Sequence, residues 1–152
     1  MKHQGLRSGR GGRRAISILG HPVFPALASV PLVCFAGALL TDIVYAQSPY
    51  MQWTNFSAWL ITAGLVFALF AAIVAIIDFF RNPKGGLAVA HIVLVFGAYV
   101  IELFNIFVHS RDAYTSVVPT GLTLSVVAVA LLLVGNCLGA FLSGRYYARS
   151  EA

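Results

Sequence analysis

Long apolar runs alternate with short polar breaks along the chain, and four of the runs are long enough to cross a bilayer as helices. They fall at about residues 22–46, 57–79, 87–109 and 120–143. At about 1.5 Å per residue, each covers a hydrocarbon thickness of about 30 Å. The pattern predicts an all-α membrane protein, a four-helix antiparallel transmembrane bundle over residues 21–145. A tail (1–20) and a short C-terminal segment (146–152) flank it.

The third run, Leu87 to Ser110, departs from its neighbours because it carries His91, Glu102, Asn105 and His109. On a helix turning about 100° per residue, the last three point within about 40° of His91. Polar side chains at membrane depth are costly and face protein or a wet cavity, so this stripe is expected to look into the bundle. The second run offers a face of small residues, Gly64, Ala68, Ala71 and Ala75, with Asp78 continuing the line. Small residues let a neighbouring helix approach closely. The fourth run carries Gly135 and Gly139 at GxxxG spacing, followed by Ser143, which suits packing within the monomer or across a homo-oligomer. In the first run, Pro31 removes the hydrogen bond to the Leu27 carbonyl and predicts a kink.

Composition agrees: 59% hydrophobic residues, 10% charged residues and a mean hydropathy of +0.86 exceed what a soluble domain carries. Charge adds orientation. Of the ten Lys and Arg residues, five lie in the tail (Lys2, Arg7, Arg10, Arg13, Arg14), two in the second loop (Arg81, Lys84) and two at the C-terminus (Arg145, Arg149). Only Arg111 falls on the opposite side, so the positive-inside rule predicts a multi-pass chain with both termini in the cytoplasm. The net charge of +5 is then a feature of membrane insertion and implies no nucleic-acid partner. Tyr45, Tyr50, Trp53, Phe56 and Trp59 form an aromatic belt in and around the first loop. Val44-Tyr45-Ala46 resembles a signal-peptidase site, but the run before it is long and holds Pro22, Pro25, Pro31 and Asp42, which argues against cleavage. Cys34 and Cys137 lack a CxxC context and no disulfide is expected.

Orientation and rise sort the polar residues into two layers. His21, Asp78 and His91 fall near the cytoplasmic boundary, with Asn136 somewhat deeper. Asp42, Glu102, Asn105 and His109 fall toward the opposite side, with Arg111 at that boundary. In the cytoplasmic layer, two histidines and a carboxylate can bind a divalent metal, and His91 with His21 can ligate haem iron. The plainer alternative is that His21 caps the first helix and His91 hydrogen-bonds Asp78 or Asn136. In the outer layer, Asp42 and Glu102 can share a proton, or Arg111 can fold back onto one of them. The plainer alternative there is a polar clamp between the first and third helices. No catalytic motif is present, so no enzyme is expected.

The order of these residues resembles the bacterial membrane family of domain of unknown function 2231. The resemblance rests on Gly20-His21-Pro22, Pro31 and Asp42 in the first helix, Asp78-Phe79 at the end of the second, Ala90-His91 opening the third, Asn105 and Arg111 closing it, and the glycine-bearing stretch Gly135 to Gly144. It spans about residues 20 to 145. Phe24 stands where a second histidine often follows, and Ala75 lies near the place of a usual glycine. Some members are joined to or encoded beside Rieske, cytochrome or quinoprotein-dehydrogenase modules. The resemblance thus implies a small subunit of a bacterial inner membrane serving a redox partner, with His91, alone or with His21, holding haem b or contacting a quinone. Two other functions compete with it: a proton or ion path using Glu102 and Asp42, and a structural anchor without a ligand.

Overall fold

The computed structural model describes residues 17–18, 21–81, 85–111 and 117–150, with side chains over 24–81, 85–111 and 117–142. Most of the basic tail, Lys84, Asp112 and the side chains of His21, Arg145 and Arg149 lie outside the described residues. Ser17–Ile18 pairs antiparallel with His21–Pro22 just ahead of the first helix.

The first apolar run folds as α1, Val23–Gln47, which continues through a fully buried Pro31. The Ser48 N–H closes its last turn on the Val44 carbonyl at 2.8 Å, and Pro49, with no N–H to offer, stops it. The next helix, α2, begins at Met51 and runs to Arg81. It therefore starts some six residues before the expected boundary at 57, and Trp53, Phe56 and Trp59 decorate its first turns instead of a loop. The reason is local: no proline or glycine interrupts the chain between Met51 and Gly64, so the helix propagates back to the breaker at Pro49. The third helix, α3, spans Gly86–His109, and the Ser110 N–H caps it on the Ile106 carbonyl at 2.9 Å. An irregular turn, Val117–Gly121, with Val118 extended (φ −115°, ψ 122°), leads into α4, Leu122–Ser150. That helix continues beyond the expected end at 143; at 29 residues it measures about 44 Å, more than the hydrocarbon thickness.

The helices pack in sequence, α1 on α2 and α3 on α4, and contacts of α1 with α4 and of α2 with α3 close the ring. All four contain stretches long and apolar enough to cross a membrane. The distribution of side chains is inverted relative to a soluble bundle. Large apolar groups such as Phe80 (81% exposed) and Phe104 (63%) point outward, while Asp42, Glu102, Asn105 and Ser125 are fully enclosed. Gly64, Ala68 and Ala71 are buried, as their spacing suggests. Gly64 receives the ring of Phe35: a Cβ there would lie 2.8 Å from Phe35 Cδ1 and 3.0 Å from Cys34 Cβ. Phe35, Ile61, Val95, Ala98 and Leu132 make up much of the apolar core at mid-bundle.

Candidate functional site

Asp42 lies in the last turns of α1, Glu102, Asn105 and His109 in the last turns of α3, and Ser125 in the first turns of α4. Antiparallel packing brings these three ends to one side of the bundle. There the side chains form a continuous network. His109 Nε2 lies 2.9 Å from Asp42 Oδ1, with both side chains wholly enclosed. His109 Nδ1 donates to the Asn105 carbonyl at 3.0 Å. Ser125 Oγ donates to Asp42 Oδ2 at 2.7 Å. Asn105 Nδ2 donates to Ser125 Oγ at 2.8 Å and to Glu102 Oε2 at 3.1 Å.

Donor and acceptor chemistry restricts the protons. A carbonyl can only accept, so His109 Nδ1 must carry hydrogen. The facing Nε2 and Asp42 Oδ1 then need one further proton between them, as imidazolium with carboxylate or as neutral imidazole with carboxylic acid. Gly121 makes room for this arrangement. A Cβ there would stand 3.0 Å from His109 Cε1 and 3.4 Å from Asn105 Oδ1. Three buried atoms have no hydrogen-bond partner among the described residues: Glu102 Oε1, Asn105 Oδ1 and the Tyr99 hydroxyl.

Asp42 and Glu102 do not share a proton directly, because Ser125 and Asn105 stand between them. Nor does Arg111 fold back; it is exposed, and His109 takes the place beside Asp42. Ser125 was not a candidate on sequence. A lone serine in an apolar helix carries little signal, and only its depth relative to Asp42 and Asn105 would have pointed to it. Thr41 Oγ1 and Ser57 Oγ, 2.7 Å apart, add a second polar link, between α1 and α2.

Residues 20–152 match the family described as predicted membrane protein (DUF2231), and every member of the network lies inside that span. The chain belongs to the DUF2231 family. No curated protein and no solved structure matches it.

At the other end of this DUF2231 chain, His91 sits in the notch of the GxxxG pair. Its Nδ1 donates to the Gly135 carbonyl at 2.7 Å, and a Cβ on Gly139 would lie 2.9 Å from its Cε1. A Cβ on Gly135 would lie 3.0 Å from Val95 Cγ2, so both glycines face α3 of the same chain. One alternative for His91 on sequence is a bond to Asp78 or Asn136; its Nδ1 takes the Gly135 carbonyl. Asn136 Nδ2 instead donates to the Leu132 carbonyl of its own helix at 2.9 Å. Phe24 meets the His91 ring edge-on, with centroids 6.3 Å apart. Asp78 is half-buried near the end of α2, and the His21 side chain lies outside the described residues. No group of three or more His, Cys, Asp or Glu among the described residues is placed to hold a metal ion. On α3, buried Val95 and Ala98 separate His91 from the Asp42–His109 network, leaving about 12 Å of apolar helix between His91 and Tyr99.

Proposed function

We propose that this DUF2231 protein holds and exchanges a proton inside the bilayer at Asp42 and His109. We place it in a bacterial inner membrane with both termini cytoplasmic. The distribution of Lys and Arg supports that orientation, and it puts the network in the outer half of the membrane. One observation carries the reading: His109 lies between two oxygen groups, and its contact with Asp42 calls for a shared proton in a site closed to water. Transfer between Nε2 and Oδ1 leaves the net charge of the pair unchanged, and the bonds from Ser125 to Asp42 and from His109 to the Asn105 carbonyl support the charge-separated form. Burial of Val95 and Ala98 between the network and His91 supports exchange at a closed site over an open channel. The test is proton movement into liposomes under a potassium diffusion potential, read by an entrapped pH dye. Protein-dependent uptake should disappear in Asp42→Asn and His109→Gln and persist in His91→Ala. Uptake equal to that of empty liposomes, or unaffected by Asp42→Asn, would contradict the proposal.

A second reading, a small membrane subunit serving an electron-transfer partner, rests on His91. With Nδ1 committed to Gly135, its Nε2 presents the lone pair that a metal or a quinone contact requires. His109 cannot be the second ligand of a haem, because both its nitrogens are engaged. The absorption spectrum of protein expressed with ample haem tests the haem form: a Soret band lost in His91→Ala supports it, and no band excludes it.

A further inference from the structure

Asn105 occupies the middle of the outer network and donates in both directions. Its Nδ2 has two hydrogens, one given to Ser125 Oγ at 2.8 Å and the other to Glu102 Oε2 at 3.1 Å. Hydroxyl and imidazole groups pass protons along by losing one and gaining another. A primary amide keeps its hydrogens, so a proton moving through Asp42 and Ser125 stops at Asn105. Beyond it, the Glu102 carboxyl is fully enclosed and receives that single N–H bond. Glu102 Oε1 and Asn105 Oδ1 are both buried and unpartnered among the described residues.

The titratable groups around Glu102 are few. From α1 comes Asp42, itself acidic; from α3 come His109, committed to Asp42, and Tyr99. The buried polar residues of α2 are Thr54 and Ser57, and that of α4 is Ser125. No described cation is in direct contact with Glu102, and a carboxylate with one N–H bond and no counter-ion is costly in such a place. A proton on Oε1 removes the charge and turns one orphan acceptor into a donor, in the same cluster as the unpartnered Asn105 Oδ1.

We propose that Glu102 binds a second proton of its own, and that Asn105 keeps it apart from the proton held by Asp42 and His109. This deepens the function proposed above and rests on the same network. Proton exchange then involves two sites on either side of an amide that does not conduct.

Infrared spectroscopy of the full chain in proteoliposomes tests it, because only a protonated carboxyl gives the carboxylic acid C=O band. At neutral pH the wild type should show such a band from Glu102, lost in Glu102→Gln and kept in Asp42→Asn, whereas a band from an acid form of Asp42 would behave the opposite way. It should not change when sodium replaces a bulky organic cation. If Glu102→Gln does not fold, carbonyl-labelled glutamate gives the same answer, since Glu102 and Glu151 are the two glutamates of the chain. The band should shift with labelled glutamate and not with labelled aspartate. Absence of the band, or its loss in Asp42→Asn alone, would show that Glu102 holds no proton. Loss of the band on adding sodium would show that the site takes a metal cation instead. Asn105→Asp tests the separation: the Glu102 band should respond to Asp42→Asn in that background and not in the wild-type one. An equal response in both overturns the insulating role. Wild-type proton uptake that is abolished by Asp42→Asn and His109→Gln, with no Glu102 band, would leave the Asp42–His109 reading standing and this one refuted; a Glu102 band with no protein-dependent uptake would separate them the other way.

Discussion

Replacing Asp42 by Ala removes the acceptor of two buried donors, His109 Nε2 at 2.9 Å and Ser125 Oγ at 2.7 Å. Hydrogen bonds between membrane helices average only about 0.6 kcal/mol and reach about 1.7 kcal/mol. Two such bonds, if neutral and replaceable, would sum to about 1 kcal/mol. Stranding one member of a buried ion pair costs far more, about 3–5 kcal/mol. A double-mutant cycle of Asp42→Ala with His109→Ala separates the two cases, because Asp42→Ala loses the Ser125 bond in both His109 backgrounds and that loss cancels. With a proton-sharing pair the coupling should be about 2–3 kcal/mol, measured by reversible unfolding in bicelles followed by helical circular dichroism. A coupling near about 0.6 kcal/mol, the ordinary value for neutral groups in a bilayer, would refute the reasoning and reduce the pair to a clamp.

Packing yields three further expectations, each read by the same unfolding assay or by spectroscopy. Gly64→Val should destabilise by about 1–3 kcal/mol, since its side chain enters the space of the Phe35 ring, and Gly64→Ala should still cost stability despite a helix-propensity gain of about 1 kcal/mol. Gly139→Ala should cost about 1–3 kcal/mol through collision with His91, and most of that cost should vanish in the His91→Ala background; a loss of equal size in both would place the strain elsewhere. Gly121→Ala should push the His109 ring by a few tenths of an ångström, visible as a changed His109 imidazole resonance with the helical content intact.

The bundle was legible because apolar runs of spanning length have few alternatives, and the inward face of α3 was legible because Glu102, Asn105 and His109 recur at helical spacing. Depth put Asp42 in the same layer. What remained hidden was pairing, which depends on how α1 and α4 are rotated about their axes. That rotation sets His109 against Asp42, leaves Arg111 outside and inserts Ser125 between Asp42 and Asn105. The notch at Gly135 and Gly139 was visible as spacing, but a spacing does not say which helix fills it. His91 and Val95 of the same chain do. The start of α2 was misjudged because aromatic residues read as an interfacial loop, whereas only Pro49 interrupts the backbone there.

Nitrogen-15 NMR of labelled histidine in lipid bilayers tests most directly whether Asp42 and His109 hold a proton between them. His109 Nδ1 should carry a bonded hydrogen, and Nε2 should show the signature of a proton shared with a carboxyl. Asp42→Asn should convert the ring to a neutral imidazole protonated at Nδ1 alone. A bare Nδ1, or a ring whose resonances do not respond to Asp42→Asn, would contradict the account.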